Sequence, residues 1–517
     1  MKLILINIYP KDTMAKYLLS SYLLKGYIDR FYIRGDLSVN ILNFSEVAVI
    51  SELTDKILRE NPDYIGYSCY VWNIEKILTV IHSLNERINA GMKAVVLAAG
   101  AGTRVMPLSV NKSKVMFRIM GKPLIQYIVE NLAAAGFEDV IIVTGQNGEQ
   151  IRDYLEDGSR FGVRIRYTHQ EKPVSTGNAI ETAEGLVGDR FLVVNGDDVF
   201  EPELLRAMAD ELKRNGAEIV LACQPVEETW KFGIIAQKEN GDVKKIVEKP
   251  KPGTEPSNLA IVGAYILPKR IFDYIRKTPV RNQQFEDAMQ AFINEGGKVR
   301  AISYDGFFGS FKYPWDLLAI SKYLMDRHLA GGWISPSAKV SARAIVEGSV
   351  FIGDGAKILE GAIVKGPCYI GAGSTIGTNA IVREYSDIGN NCIVGFASEV
   401  TRSMLGNGCW LHTNYVGDSI LGDNCKFGAG TVTANLRFDE GEVEMRVKDE
   451  KMRTGCKKFG IVAAENCRTG INCSLMPGIK MGPNSVVGPG VCLHEDLGPG
   501  KMILLDKKSY VIKDSNI

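Results

Sequence analysis

A period of six governs the last third of the chain. Ile334, Val340, Val346, Ile352, Ile358, Val364, Ile370, Ile376, Val382, Ile388, Val394 and Val400 follow one another at six-residue steps, and each is β-branched. Small residues recur four positions later, at Ala338, Ala344, Ala356, Ala362, Ser374, Ala380 and Ser386. Glycine directly follows the aliphatic residue at Gly353, Gly371, Gly377 and Gly389. Neither the 3.6 period of a helix nor the alternation of a simple amphipathic strand accommodates such a step. A short strand and a turn, repeated, does. One aliphatic side chain points inward on each face, and three faces close a triangular coil of about 18 residues, the hexapeptide form of the parallel β-helix. The phase slips near Thr401–Val416, resumes at Leu421, Phe427 and Thr433, and returns at Thr469, Leu475, Met481, Val487 and Leu493. Leu436–Lys458 is highly charged and aperiodic. It reads as a loop extruded from the coil: a solvated insertion, or an arm that covers a site or contacts a neighbouring subunit.

The remaining length needs further domains: 517 residues suggest about three units at roughly 150 residues each. Lys+Arg of 61 against Asp+Glu of 60 leaves +1, which argues against a nucleic-acid partner with a global basic footprint. No apolar run approaches the ~18 residues that would span a bilayer, so no membrane partner is expected. The opening MKLILINIY is too short for a signal core and lacks a small-residue cleavage site, so it reads as a first strand of a cytoplasmic protein. Of ten cysteines, Cys368, Cys392, Cys409, Cys425, Cys456, Cys467, Cys473 and Cys492 lie in the repeat region, with no C-x-x-C. Several occupy the small-residue slot, so they read as small apolar residues in a reduced interior rather than disulfides or metal ligands.

A second unit opens at Met92. The apolar strand Lys93–Ala99 runs into Gly100-Ala101-Gly102-Thr103-Arg104, where glycines let the backbone approach a phosphate and aim N–H groups at it. Strands at 140–145, 163–169, 190–198, 217–223 and 259–267 alternate with helices at 124–136, 177–186 and 202–216. That order predicts a three-layer α/β domain on a mostly parallel sheet, with ligands beyond the carboxyl ends of its strands. Gly196-Asp197-Asp198 lies at one such end, where adjacent carboxylates suit Mg²⁺ in the company of phosphate.

Leu97–Arg104, with Pro107-Leu108, Lys114 and Gly121-Lys122-Pro123-Leu124-Ile125, resembles the signature of sugar-1-phosphate nucleotidylyltransferases. Gln170, Thr176-Gly177, Asn195-Gly196-Asp197, Phe232-Gly233, Glu248-Lys249-Pro250, Asn258 and Pro314-Trp315-Asp316-Leu317-Leu318 follow in family order. A β-helix directly after such a domain resembles the bifunctional uridyltransferase/acetyltransferases acting on N-acetylglucosamine 1-phosphate and glucosamine 1-phosphate. His412–Asp418, Phe427–Thr431, Asn435 and Lys458-Phe459-Gly460 match their acetyltransferase strand by strand, so the resemblance covers about 92–495. The fold class implied is an α/β nucleotidyltransferase (Rossmann-like, three-layer) domain over 92–330 and a left-handed parallel β-helix over 331–500, with a tail at 501–517.

The resemblance implies roles. Leu97, Ala99, Gly100, Gly102 and Thr103 would hold the triphosphate of UTP or dTTP. Arg104 and Lys114 would neutralise charge as pyrophosphate leaves, Gln170 and Thr176 would face the base, and Asp197 would hold Mg²⁺. Gly233, Glu248 and Asn258 would contact the sugar, with Lys249 near its phosphate. In the second site His412 would be general base, imidazole titrating near the working pH. Glu399, Tyr415, Asn435 and Lys458 would complete it, acetyl-CoA would be the co-substrate, and subunits would assemble as a homotrimer with acyl sites between them.

Three departures stand out. Ser310 occupies the place of a second metal-binding Asp or Asn, leaving Asp198 or Asp305 as replacements, and Ser175 stands where Gly usually precedes Thr176. In the second site Thr401 replaces a Lys and Lys426 an Asn. Two narrower expectations follow beside the bifunctional one: nucleotidyl transfer alone, with the β-helix for assembly or regulation, or a catalytically degenerate nucleotide-sugar-binding scaffold. Residues 1–91 read as strands at 2–8, 40–44 and 64–70 with helices near 13–26, 46–60 and 74–88, half of a flavodoxin-like sheet. Pro62–Asn73 resembles a truncated cobalamin-binding-type domain, but D-x-H-x-x-G is absent and cobalamin is not expected.

Overall fold

Lys93–Ala98 is apolar on both sides because helices cover both faces of the sheet it centres. In this computed structural model, residues 91–506 are described apart from residue 282, together with the backbone of three upstream strands. Lys93–Ala98 pairs in parallel with Asp139–Thr144 on one side and Arg190–Asn195 on the other, and Asp139–Thr144 with Arg164–His169. Beyond Arg190–Asn195 the sheet changes character. Leu259–Pro268 is antiparallel to it, as it is to Ile219–Pro225 and Gly233–Gln237, and Gly233–Gln237 is antiparallel to Val243–Glu248. The sheet is therefore parallel in one half only, because tight hairpins replace helical crossovers in the other. Chain order reverses at Lys93–Ala98, which makes the crevice at its carboxyl end the place for a ligand. One apolar layer includes Val96, Ile125, Ile142 and Leu204; the other includes Val95, Ile180, Phe272 and Phe285.

The hexad becomes three parallel sheets. Trp333, Phe351, Tyr369 and Asp387 are partners at successive levels of one face. From Ile352 to Val400 every sixth residue is essentially inaccessible to solvent. Val346 packs against the core only partly buried. Ile334 and Val340 are 47% and 38% exposed, because the first coil has no described coil beneath it. The slip near Thr401 is a change of coil length: 17 residues separate Asp387 from its partner Met404, and 16 separate Met404 from Ile420.

The cysteines do more than fill small slots. Sγ of Cys392, Cys409, Cys425 and Cys467 donates to the carbonyls of Gly406, Gly422, Ala464 and Gly482 at 3.0–3.1 Å, each in the coil above. Ser374 starts the column, donating to Gly389 O at 2.6 Å. Strands of two or three residues leave corner carbonyls that these side chains satisfy.

Leu436–Lys458 is not a solvated loop. Leu436 and Lys458 bridge at its base, and Glu444–Val447 pairs antiparallel with Glu450–Arg453. Val443, Met445 and Val447 are buried, and the first two share a core with Phe459 and Met404 of the β-helix and Leu108, Phe311 and Leu317 of the α/β domain. Polar contacts seal this joint: Lys112 to Asp423 at 2.7 Å, Asn111 Nδ2 to Glu465 Oε1 at 2.6 Å, and the Met120 N–H to Asp387 Oδ2 at 2.7 Å.

Upstream, Lys2–Tyr9 lies between Ser38–Ser45 and Tyr64–Ser68, all parallel. The helices expected near 13–26, 46–60 and 74–88, and residues 507–517, fall outside the described residues. No helix among the described residues is long and apolar enough to cross a membrane.

Candidate active sites

At the carboxyl end of Lys93–Ala98 the chain must turn sharply, and Gly100–Arg104 emerges as an exposed loop. Gly102 holds a φ of 64°, and a Cβ there would sit 2.9 Å from Ser109 Cβ, so both conformation and space require glycine. Ser109 Oγ donates to Gly102 O at 2.7 Å and pins the loop. Leu97 pairs with Asn195, and the Gly196 N–H reaches Leu97 O at 2.8 Å, which brings Asp197 beside the loop. Ala99 is buried behind it, and Thr103 and Arg104 are exposed at its rim. Lys114 forms an ion pair with Asp197, the two side chains 15% and 14% exposed.

Gln170 is buried and donates to Asn178 Oδ1 at 2.8 Å and Ser175 O at 3.2 Å, tying it to the turn that carries Thr176. Ser175 has a local reason to replace glycine. Its Oγ accepts the Asn178 N–H at 3.0 Å and caps Thr176–Glu181, while donating to Gln284 Oε1 at 2.5 Å.

On the antiparallel side, Gly233 lies opposite Glu248, and a Cβ on Gly233 would meet Glu248 Oε2 at 2.8 Å. Burial raises the Glu248 pKa against the fields of Lys249 and Lys312. Lys249, at a φ of 47°, is largely exposed, 3.8 Å from Glu248. Asn258 is exposed, its N–H unneeded here but its carbonyl held by the Val226 N–H at 2.9 Å. Helix Gln284–Asn294 packs along Val243–Glu248, the Ile246 N–H reaching Gln290 Oε1 at 2.8 Å. One turn back is Glu286, whose pKa burial pushes up to about 7, with Glu248's charge adding to the rise. The motifs did not disclose Glu286; its place follows only from this packing.

Ser310 is accounted for by pairing. Asp198–Phe200 runs antiparallel to Phe308–Ser310, which sets Ser310 across from Asp198 and lets its hydroxyl donate to Oδ1. Asn195 Nδ2 holds Oδ2 at 2.8 Å. Asp198 is 1% exposed, and burial, with Asp197's charge, raises its pKa to about 6. With both oxygens engaged, Asp198 is not a free replacement ligand. Among the described residues no three carboxylates, imidazoles or thiols converge on a metal position. Asp197 alone offers an accessible carboxylate, a donor set that fits Mg²⁺ completed by substrate phosphates and water.

The second cluster lies along one β-helix face. Glu399 and Tyr415 are partners in adjacent coils. Asn435 Nδ2 donates to Tyr415 OH at 3.2 Å and to Asp418 Oδ2 at 2.5 Å. Lys458 bridges to the residue after Asn435 and is exposed. His412 is exposed at the corner that opens this strand, its N–H held by Asn414 Oδ1 at 2.6 Å. Two arginines not singled out by motif join the cluster: Arg383, 3.3 Å from Glu399, and Arg402, which grips the buried Asp418 in a fork at 2.6 and 2.8 Å. Thr401 is buried with its hydroxyl unpartnered, so Arg402 places the cation here. Lys426 stands apart, on the neighbouring face 5.9 Å from the Trp410 ring.

Residues 93–334 match the nucleotidyl transferase family, and 349–384 match the bacterial transferase hexapeptide (six repeats) family. The chain is 36% identical to the bifunctional protein GlmU of Methanocaldococcus jannaschii, over 78% of this chain and 96% of that protein. It is 35% identical to the bifunctional protein GlmU of Methanococcus maripaludis strain C7, over 82% and 100%. It is also 32% identical to a bifunctional sugar-1-phosphate nucleotidylyltransferase/acetyltransferase of Sulfurisphaera tokodaii, over 79% and 99%. An anion-receiving loop beside Asp197, a carboxylate-lined pocket across the sheet and a polar cluster on a hexapeptide β-helix, joined in this order, make the chain a member of the GlmU family of bifunctional nucleotidylyltransferase/acetyltransferases.

Proposed function

We propose that the α/β domain transfers the nucleotidyl group of UTP or dTTP to a sugar 1-phosphate and releases pyrophosphate. The observation that carries this reading is the meeting of Gly100–Arg104 with the Lys114–Asp197 pair, opposite Glu248 and Lys249. The loop amides and Arg104 receive the triphosphate, Gln170 and Thr176 the base, and Gly233, Glu248 and Asn258 the sugar. Lys249 steers the sugar phosphate oxygen, which attacks the α-phosphorus in line. Lys114 takes up charge on the departing pyrophosphate. Such a reaction needs positioning and electrostatic stabilisation rather than a covalent step. Mg²⁺, held by Asp197, would supply charge neutralisation at the phosphates.

The β-helix adds a second reaction in this reading: acetyl-CoA-dependent N-acetylation of an amino-sugar phosphate. His412 takes the proton from the attacking amine, and Arg383, Arg402, Tyr415, Asn435 and Lys458 hold the phosphorylated sugar. Lys426 sits on another face of the same protomer, which favours a homotrimer whose second site is completed by the neighbouring copy. A matrix of nucleoside triphosphates against sugar 1-phosphates, read by pyrophosphate and product mass, tests the first activity. Thiol release from acetyl-CoA, dependent on an amino-sugar phosphate, tests the second. Pyrophosphate without thiol would leave the β-helix an assembly module; neither would leave a nucleotide-sugar-binding scaffold.

A further inference from the structure

The strand that places Ser310 also places a lysine. Phe311 is buried in the joint with the β-helix, and its N–H bonds Asp197 O at 2.9 Å. Alternation then turns Lys312 to the side of Ser310, toward the pocket. Its backbone is fixed: Asp316 Oδ2 accepts the N–H groups of Lys312 at 2.8 Å and Tyr313 at 2.6 Å. Its Nζ lies 4.9 Å from the centroid of Phe232, the residue before Gly233. The field of Lys312 reaches Asp198, Glu248 and Asp316, yet among the described residues no carboxylate lies within 4.0 Å of its ammonium. A partly buried cation at the meeting of acceptor pocket and phosphate loop, unpaired but aimed among acids, is incomplete without an anion.

We propose that Lys312 binds the phosphate of the acceptor sugar 1-phosphate, from the face opposite Lys249, and supplies charge where Ser310 presents no carboxylate for a cation. The two lysines flank Glu248, so the dianionic phosphate sits between them while Glu248 receives the sugar. This rests on the nucleotidyl-transfer reading. It adds a specificity determinant: a ligand lacking the phosphate loses its strongest anchor.

The test uses the full-length chain and its Lys312→Met and Lys312→Arg variants. Turnover is measured against sugar 1-phosphate and nucleoside triphosphate separately, and binding of glucose 1-phosphate and N-acetylglucosamine 1-phosphate is followed by calorimetry. Removing one well-placed charge costs roughly 10²-fold. Lys312→Met is therefore expected to raise the sugar 1-phosphate KM and Kd by about that factor, with the triphosphate KM and melting temperature unchanged. Lys312→Arg should recover most of the affinity. An unchanged sugar-phosphate KM and Kd in Lys312→Met overturns the proposal while leaving nucleotidyl transfer standing. Lys312-dependent binding without turnover by the wild type overturns nucleotidyl transfer and leaves the phosphate site standing. A wild type that binds neither sugar phosphate overturns both.

Discussion

Asp387 gives the joint between the domains a pH-dependent stability. Its side chain is 4% exposed at the inner edge of the β-helix, and its one hydrogen bond comes from the Met120 N–H. Met120 holds a φ of 49° in the turn between Arg118–Ile119 and Lys122–Pro123. The other titratable groups facing it are the buried Tyr127 and Tyr369, and no cation pairs with it among the described residues. Burial pushes its pKa from 3.8 to about 7, against a smaller lowering by the Met120 N–H. Between those values the folded chain holds a proton that the unfolded chain has lost, so stability falls as pH rises and levels off above about 7. At 1.36 kcal/mol per tenfold, the whole displacement is about 4 kcal/mol, of which about 3 kcal/mol falls between pH 5 and 7. Asp387→Asn keeps an oxygen for Met120 and removes the charge. Any fixed cost of its new amide group is the same at every pH. The variant should therefore gain about 3 kcal/mol on the wild type between pH 5 and pH 8, read from denaturant unfolding of the two full chains. Asp198, Glu286 and Asp316 titrate in both proteins and cancel from the comparison. Parallel stability profiles for wild type and variant would refute the reasoning.

Asp197→Ala should lower pyrophosphate release about 10²–10³-fold, with thiol release retained; near-wild-type nucleotidyl transfer would remove its metal-holding role. His412→Ala should abolish thiol release and leave pyrophosphate release intact, which the same two assays check. Ser175→Ala should cost about 1 kcal/mol by uncapping Thr176–Glu181, and Ser175→Gly only a few tenths, measured by denaturant midpoint. Cys425→Ser should be tolerated because a hydroxyl can still donate to Ala464 O. Cys425→Val should cost about 1–3 kcal/mol through an unpaired carbonyl and overpacking, and equal melting temperatures would refute the donor role.

The β-helix was legible because its geometry imposes one requirement at every sixth residue, and a dozen residues from Ile334 to Val400 meet it without interruption. The nucleotide loop was legible because glycine at 102 answers a local need of backbone and space. Relations across the chain were not. Nothing near Ser310 announces that its partner is Asp198, 112 residues away, because antiparallel register is set by the whole sheet. Arg383 had a usable signal: it precedes Thr401 by one 18-residue coil, so the repeat alone stacks the two. Lys312 had one as well, two residues beyond Ser310 on an alternating strand. The arm between Leu436 and Lys458 misled because its charges dominate, while Val443, Met445 and Val447 form a sparse apolar stripe that finds a partner only in the α/β domain.

That arm also determines how the two candidate sites bear on one another. Lys458 is followed by Phe459, which is buried and meets Trp315 edge-on at 6.5 Å. Trp315 stacks on Tyr313 at 4.7 Å, and Arg104 lies 5.6 Å from that ring. Asp316 then holds the turn of Lys312. A continuous packed path thus joins the second cluster to the rim of the nucleotide loop. Contact alone does not make a path a switch, which requires an element with two arrangements that both ligands bias. Here the path crosses a dry core of Phe311, Leu317, Met445 and Phe459, all buried. Close-packed interiors resist small displacements. Such a joint transmits stability rather than signal. Loosening it, as by Phe459→Ala, should lower the unfolding midpoint of both domains together, by about 3–5 kcal/mol for a buried aromatic. Acetyl-CoA, in contrast, should leave the sugar 1-phosphate KM where it was. A several-fold shift in that KM on adding acetyl-CoA would show that the joint has a second arrangement and that this account of it is wrong.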